Sequence, residues 1–163
     1  MLGRFLFHWR AYFAVAGFVL VFALGQPTRG TWVSGLPLLL LGLGLRVWAM
    51  GHVGVAARSN DVGGDVMIQS GPYRWFRHPL YLGNFMLVAG ILLQFRPPVW
   101  FGAVVAGGYL VLYTLMAKAE EKHLADVVRE ERRFSWQRAG NERWTWIVTL
   151  AATGLCLLRA VLR

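Results

Sequence analysis

Five long apolar runs, separated by short turns or by dense polar stretches, make up most of this chain. They cover residues 12–25, 32–50, 80–95, 99–117 and 144–162. Runs of this kind with few charges read as transmembrane helices, because about 20 residues at 1.5 Å each span a hydrocarbon core of about 30 Å. The first and third runs are short, and the first can extend back through residues 5–9. The pattern predicts an all-α, polytopic transmembrane helical bundle of about five spans, with four as the fallback, in one domain covering residues 1–163. A second reading of the first run is a secretory signal. Arg4 and Arg10 precede it, and Ala23-Leu24-Gly25 resembles a cleavage site.

The connections alternate in length. Residues 26–31 and Arg96-Pro97-Pro98 make tight turns, the latter because proline cannot continue a helix with its full hydrogen bonding. On the other side the connections are long. Residues 51–78 contain Asn60, Asp61, Gly63, Gly64 and Asp65, then Val66-Met67-Ile68 and a turn at Gly71-Pro72. Residues 118–143 hold 13 charges in 26 positions, with Leu124, Val127, Val128 and Phe134 at rough helical spacing. That spacing predicts an amphipathic segment, helical and lying at the membrane interface.

Composition agrees with the pattern and removes some functions. Only 15% of residues are charged, against about 25% in soluble domains, so a water-soluble domain is excluded. A net charge of +9 invites a nucleic-acid reading, but the basic residues are unevenly placed. Thirteen Lys and Arg fall on the side of the long connections and four on the other. This is the positive-inside bias, and it puts the long connections in the cytoplasm, most simply at a bacterial inner membrane. The basic excess then serves topology and anionic lipid headgroups, with no nucleic-acid partner. All eight acidic residues share that side, so any polar chemistry belongs there. The single cysteine, Cys156, excludes an internal disulfide and reads as a packing residue. His8, His52 and His123 show no ligand spacing, and no metal is expected.

The candidate chemistry sits at the mouth of the third run. Proline suits the first helical position, so the helix starts at Pro79 with His78 near its N-cap. The helix end is an anion site, and Arg74 and Arg77 add cations around it. Tyr81, three residues on, shares the side of His78, while Gly83 admits a ligand or another helix. Headgroup anchoring by Tyr, Trp and Arg is the bland alternative. At the end of the fourth run, Glu120 shares a helical face with Met116, Leu124 and Val127, and Glu121 points elsewhere. A carboxylate on an apolar face needs a partner and is a functional candidate. A salt bridge to Arg77 or Arg46 is the structural alternative. Arg46, about a turn inside the second run, reads as a snorkelling residue. Together these features predict a pocket between spans that suits S-adenosylmethionine, a nucleotide or a lipid headgroup.

At these residues the chain resembles the isoprenylcysteine carboxyl methyltransferase and phospholipid N-methyltransferase superfamily of integral membrane enzymes. The shared pattern is Gly71-x-Tyr73, then Arg77-His78-Pro79-x-Tyr81-x-Gly83, then Glu120-Glu121-x-x-Leu124, preceded by Leu45-Arg46-x-Trp48-Ala49. The similarity covers about residues 36–128. It implies that Asp65, Val66, Met67, Ile68, Tyr73, His78, Pro79, Leu80, Tyr81, Gly83, Glu120 and Glu121 bind S-adenosylmethionine. It implies catalytic roles for Arg77, His78 and Glu120, and a lipid or other hydrophobic substrate entering sideways from the surrounding membrane lipids. The acceptor side departs from the prenylcysteine pattern. Met116 stands where those enzymes carry an arginine, and Val128-Arg129-Glu130-Glu131-Arg132 and Gln137-Arg138-Ala139 replace later motifs. Membrane sterol reductases carry a similar Arg-His-Pro-x-Tyr segment and use NADPH, but with an Asn at the position of Leu80 and an acid at that of Asn84. A non-catalytic lipid-binding protein is the third reading.

Overall fold

The computed structural model describes residues 2–53, 66–123 and 128–162. Five apolar helices dominate it: α1 (Leu2–Leu24), α2 (Arg29–Val53), α3 (Pro79–Phe95), α4 (Val99–His123) and α6 (Arg143–Val161). A one-turn helix α5 (Trp136–Ala139) and a tight turn, Gly140–Glu142, lead directly into α6. Three helical stretches are long and apolar enough to cross a membrane: Arg29–Val53, Val99–Lys118 and Trp136–Val161. Ala14–Leu24 and Pro79–Phe95 are shorter apolar helices. The protein is therefore an all-α integral membrane bundle. Its outer surface agrees, since Val104, Leu110 and Val111 of α4 and Val148, Leu150 and Leu158 of α6 are exposed. Apolar area on that scale is untenable in water and ordinary in lipid.

The centre of the bundle is the antiparallel pair α2 and α3, which make the most extensive contact among the described elements. Each contributes two glycines seven residues, or two turns, apart. A Cβ on Gly35 would lie 2.4 Å from the Gly90 carbonyl oxygen, and one on Gly42 would lie 2.9 Å from that of Gly83. Small residues at such crossings let membrane helices pack backbone to backbone, where dispersion rather than water exclusion drives association. At the far end, Phe95, Val21, Phe101 and Cys156 form a closed apolar cluster, as expected for Cys156. Beside it Gln94 is fully buried. Its Nε2 donates to the Trp32 carbonyl at 3.1 Å, and Thr153 Oγ1 donates to its Oε1 at 3.3 Å. Arg96 ends α3 in a left-handed conformation (φ 47°) just before Pro97-Pro98, which turns the chain into α4.

The opposite end is built differently from expectation. The segment after α4 does not continue as an amphipathic helix through Phe134. Val128–Glu130 forms a strand, β2, that pairs in parallel with β1 (Val66–Ile68), in the register Val66 to Val128 and Ile68 to Glu130. Residues 131–135 follow without regular structure. Phe134 leaves the helical pattern because it is drawn onto Gly51 at the end of α2, within 2.9 Å of where a Cβ there would stand. Ser135 N–H and Arg138 Nε donate to the Gly51 carbonyl at 3.0 and 2.9 Å, which satisfies an orphan acceptor at that helix end. Leu124 and Val127 lie outside the described residues. Trp75, Trp136 and Trp144 are exposed at this end and Trp100 at the other, as interfacial aromatics are.

Candidate active site

His78 is the N-cap of α3 and Pro79 its first helical residue, as the sequence predicts. The preceding turn, Gly71–Arg74, is a single 3-10 turn with Pro72 buried and Gly71 at φ 59°. Only glycine takes that conformation without strain. It also admits a neighbour, because a Cβ there would sit 2.3 Å from His52 Nε2. His52 is buried, and its Nδ1 lies 2.7 Å from the Arg132 carbonyl and 3.1 Å from Ser70 Oγ. A carbonyl only accepts, so Nδ1 carries the proton. Ser70 Oγ donates to the same carbonyl at 2.6 Å and accepts from Arg132 N–H at 3.0 Å. His52 and Ser70 thus latch the chain before α3 to the chain after α4, and the β1–β2 ladder continues the tie. Arg132 also donates to Glu130, which holds the Glu130 carboxyl below the usual carboxylate range.

From His78 an aromatic chain runs into the bundle. Its imidazole stacks on Tyr81, with centroids 5.4 Å apart and planes within 15°. Tyr81 meets the Tyr113 ring edge-on at 4.7 Å, and Tyr113 stacks on Tyr109 at 4.2 Å. Tyr109 donates its hydroxyl to the Tyr81 carbonyl at 2.7 Å. These contacts fix the register of α3 against α4. Glu120 lies seven residues beyond Tyr113, two turns or about 10 Å further along α4. His78 and Glu120 therefore belong to the same end of one antiparallel hairpin, together with Glu121.

The remaining expected residues fall as follows. Val66, Met67 and Ile68 form β1, with Ile68 buried, and Asp65 lies outside the described residues. Tyr73 lies in the 3-10 turn, and Arg77 is exposed immediately before His78. Gly83 faces α2 rather than open space, and the Leu80 carbonyl accepts from Arg46 of that helix. A Cβ on Gly83 would come within 2.6 Å of Arg46 Cγ, so the approach it permits is that of a helix and its side chain.

Arg46 does not snorkel. It is buried, and its Nε and one terminal nitrogen form a two-pronged pair with Glu142, at 3.0 and 2.8 Å. The other terminal nitrogen donates to Asn84 Oδ1 and to the Leu80 carbonyl. The physical reason is reach: with Gly83 offering no side chain, the stem of Arg46 crosses α3 towards a buried carboxylate instead of water. Glu142, 1% exposed, escapes a reading of the sequence because it looks like one more charge in a charged loop. A signal was present: it directly precedes the last apolar run, and an arginine within a span needs a partner.

Comparison with known proteins came to the same segment. The family model for phospholipid methyltransferases matches residues 31–131. The chain is 32% identical over 124 residues to the cobalt-zinc-cadmium resistance protein CzcN of Cupriavidus metallidurans, covering 75% of this chain and 56% of that protein. It is 26% identical over 95 residues to the nickel-cobalt-cadmium resistance protein NccN of Alcaligenes xylosoxydans, covering 58% and 44%. The chain thus spans about half the length of these curated relatives. No solved structure matches it. With the motif halves, their helices and their common end of the bundle all inside the matched segment, the chain belongs to the phospholipid methyltransferase family.

Proposed function

We propose that the chain transfers a methyl group from S-adenosylmethionine to a lipid or other small hydrophobic acceptor at the cytoplasmic face of a bacterial inner membrane. One observation carries this reading. The family segment contains both motif halves, and the hairpin of α3 and α4 brings His78 and Glu120 to one end of the bundle. The donor set there suits the cofactor. The positive dipole end of α3, with the Leu80 N–H, and the guanidinium of Arg77 suit a carboxylate. The His78–Tyr81 stack offers a flat face, and Glu120 offers an acceptor for an amine or hydroxyls.

When bound, S-adenosylmethionine supplies an activated methyl group. The chain's own part is to hold the acceptor in line with it and to exclude water, which alone is worth orders of magnitude in rate. Met116, 3% exposed, brings no positive charge for an acceptor carboxylate, and this favours a lipid over a prenylcysteine. The basic bias of the same end supports a cytoplasmic orientation. Among the described residues no cluster of His, Cys, Asp and Glu could hold a metal ion.

Titrating the detergent-purified protein with S-adenosylmethionine and with NADPH, while following thermal unfolding, tests the reading. A ligand that binds only the folded state raises the midpoint by mass action. A rise with NADPH alone would point to a reductase, and no rise with either to a non-catalytic membrane protein. Incubating membranes with methyl-labelled cofactor then identifies the acceptor by the lipid fraction that gains label.

A further inference from the structure

Arg46 and Glu142 make a buried ion pair whose consequences reach the start of α3. The guanidinium has five N–H donors in a fixed fork. Their partners are both Glu142 oxygens, Asn84 Oδ1, the Leu80 carbonyl at 3.4 Å and, at the 3.5 Å limit, Thr145 Oγ1. These five acceptors take up the five donors of Arg46, which leaves none for a substrate. Two of the contacts grip the first turns of α3 at Leu80 and Asn84, and the stem of Arg46 lies over Gly83. Asn84 in turn donates its Nδ2 to the Tyr113 hydroxyl at 3.2 Å, and the Tyr113 ring packs on Tyr81, the stacking partner of His78. A chain of contacts therefore runs from Glu142 through Arg46, Asn84 and Tyr113 to the ring beside His78.

From this geometry we infer that Arg46 and Glu142 are positioning residues, which set the place of the Pro79–Tyr81 turn relative to α4 without touching cofactor or acceptor. The inference rests on the methyltransferase reading above. Glu142 lies beyond the family segment of residues 31–131, so the pair couples the family's core to this chain's own carboxy-terminal segment. The pair is a hard constraint rather than a loose anchor. Removing either partner leaves the other charge buried, whereas removing both for apolar residues of similar volume leaves no charge unpaired.

That asymmetry separates positioning from mere stability. The double variant Arg46→Met/Glu142→Leu should unfold close to the wild-type temperature. Per folded molecule, its methyl transfer from S-adenosylmethionine should fall on the order of 10- to 100-fold, the penalty of a roughly 1 Å displacement of reacting groups. Its dissociation constant for the cofactor, corrected for the folded fraction, should rise in parallel. Asn84→Ala keeps the ion pair and breaks the links of Asn84 to Arg46 and to Tyr113. It should show the same two changes in weaker form, and it decides the matter if the double variant does not fold. Wild-type turnover and cofactor affinity in a folded double variant, or in Asn84→Ala where the double variant does not fold, would overturn the inference alone. A wild-type protein that binds no S-adenosylmethionine would overturn the methyltransferase reading, and the inference with it.

Discussion

Replacing Gly35 by alanine adds one methyl group at the tightest point of the α2–α3 crossing. That Cβ would stand 2.4 Å from the Gly90 carbonyl oxygen and 2.4 Å from Gln94 Cγ, against an ordinary contact of 3.4 Å or more. Relief requires the two helices to part by about 1 Å at this level. The carbonyl cannot step aside, because it belongs to the hydrogen-bond ladder of α3. Gln94 is also held, by Trp32 and Thr153 at 3.1 and 3.3 Å. Overpacking of this kind costs about 1–3 kcal/mol, and a weakened Gln94 hydrogen bond adds about 1 kcal/mol. The better helix propensity of alanine returns about 1 kcal/mol. The expected net loss is thus about 1–3 kcal/mol, or a midpoint lowered by roughly 2–10 °C for a chain of this size. Gly44→Ala is the control, since a Cβ there meets nothing within 4 Å and should be neutral or slightly stabilising. Thermal unfolding of both variants in one detergent decides. Equal midpoints for the two would refute the close backbone approach. Cofactor binding should survive in the folded fraction of Gly35→Ala, because the perturbation lies at the end of the bundle away from His78.

His78→Ala, which removes a stacking face, and Glu120→Gln, which removes one charge-assisted contact, should each weaken S-adenosylmethionine binding about tenfold, whereas Glu130→Gln should leave it unchanged. Calorimetric titration of the three variants checks this, and equal effects from all three would mean that Glu120 holds no special place. His52→Ala should speed amide hydrogen exchange at Arg132 and Gln69, whose N–H groups bond to Ser70 Oγ and to the Glu130 carbonyl. Gly71→Ala should do the same and lower stability by at least about 1 kcal/mol, through the left-handed backbone penalty and the clash with His52. The Glu130–Arg132 contact has a definite pH sense. Because the folded carboxyl titrates below its unfolded value, its contribution is present above the unfolded carboxylate range and is lost as pH falls through the lowered value. The pair is exposed, so Glu130→Gln should lower stability only slightly at neutral pH, and the difference from wild type should vanish on the acid side of a stability–pH profile.

Local chemistry alone was enough for the spans, for the turn at Pro97-Pro98 and for His78 as the cap of α3. Apolar length, the fixed φ of proline and the spacing of Tyr81 from His78 act within a few residues, so the sequence determines them before any folding partner is known. The phospholipid methyltransferase family was legible too, because its motif halves are short and contiguous. Four features belong to the tertiary structure. Val128–Glu130 became a strand because Val66–Ile68 was there to pair with it, and Phe134 left its helical pattern to cover Gly51. Gly83 could have served a ligand or a helix, and the stem of Arg46 took the space. Arg46 found Glu142, 96 positions away, only because the glycines of α2 and α3 let the helices close upon each other. Burial of a charge in a bilayer requires a partner, but which of eight carboxylates supplies it depends on how the helices cross, and spacing along the chain does not encode that.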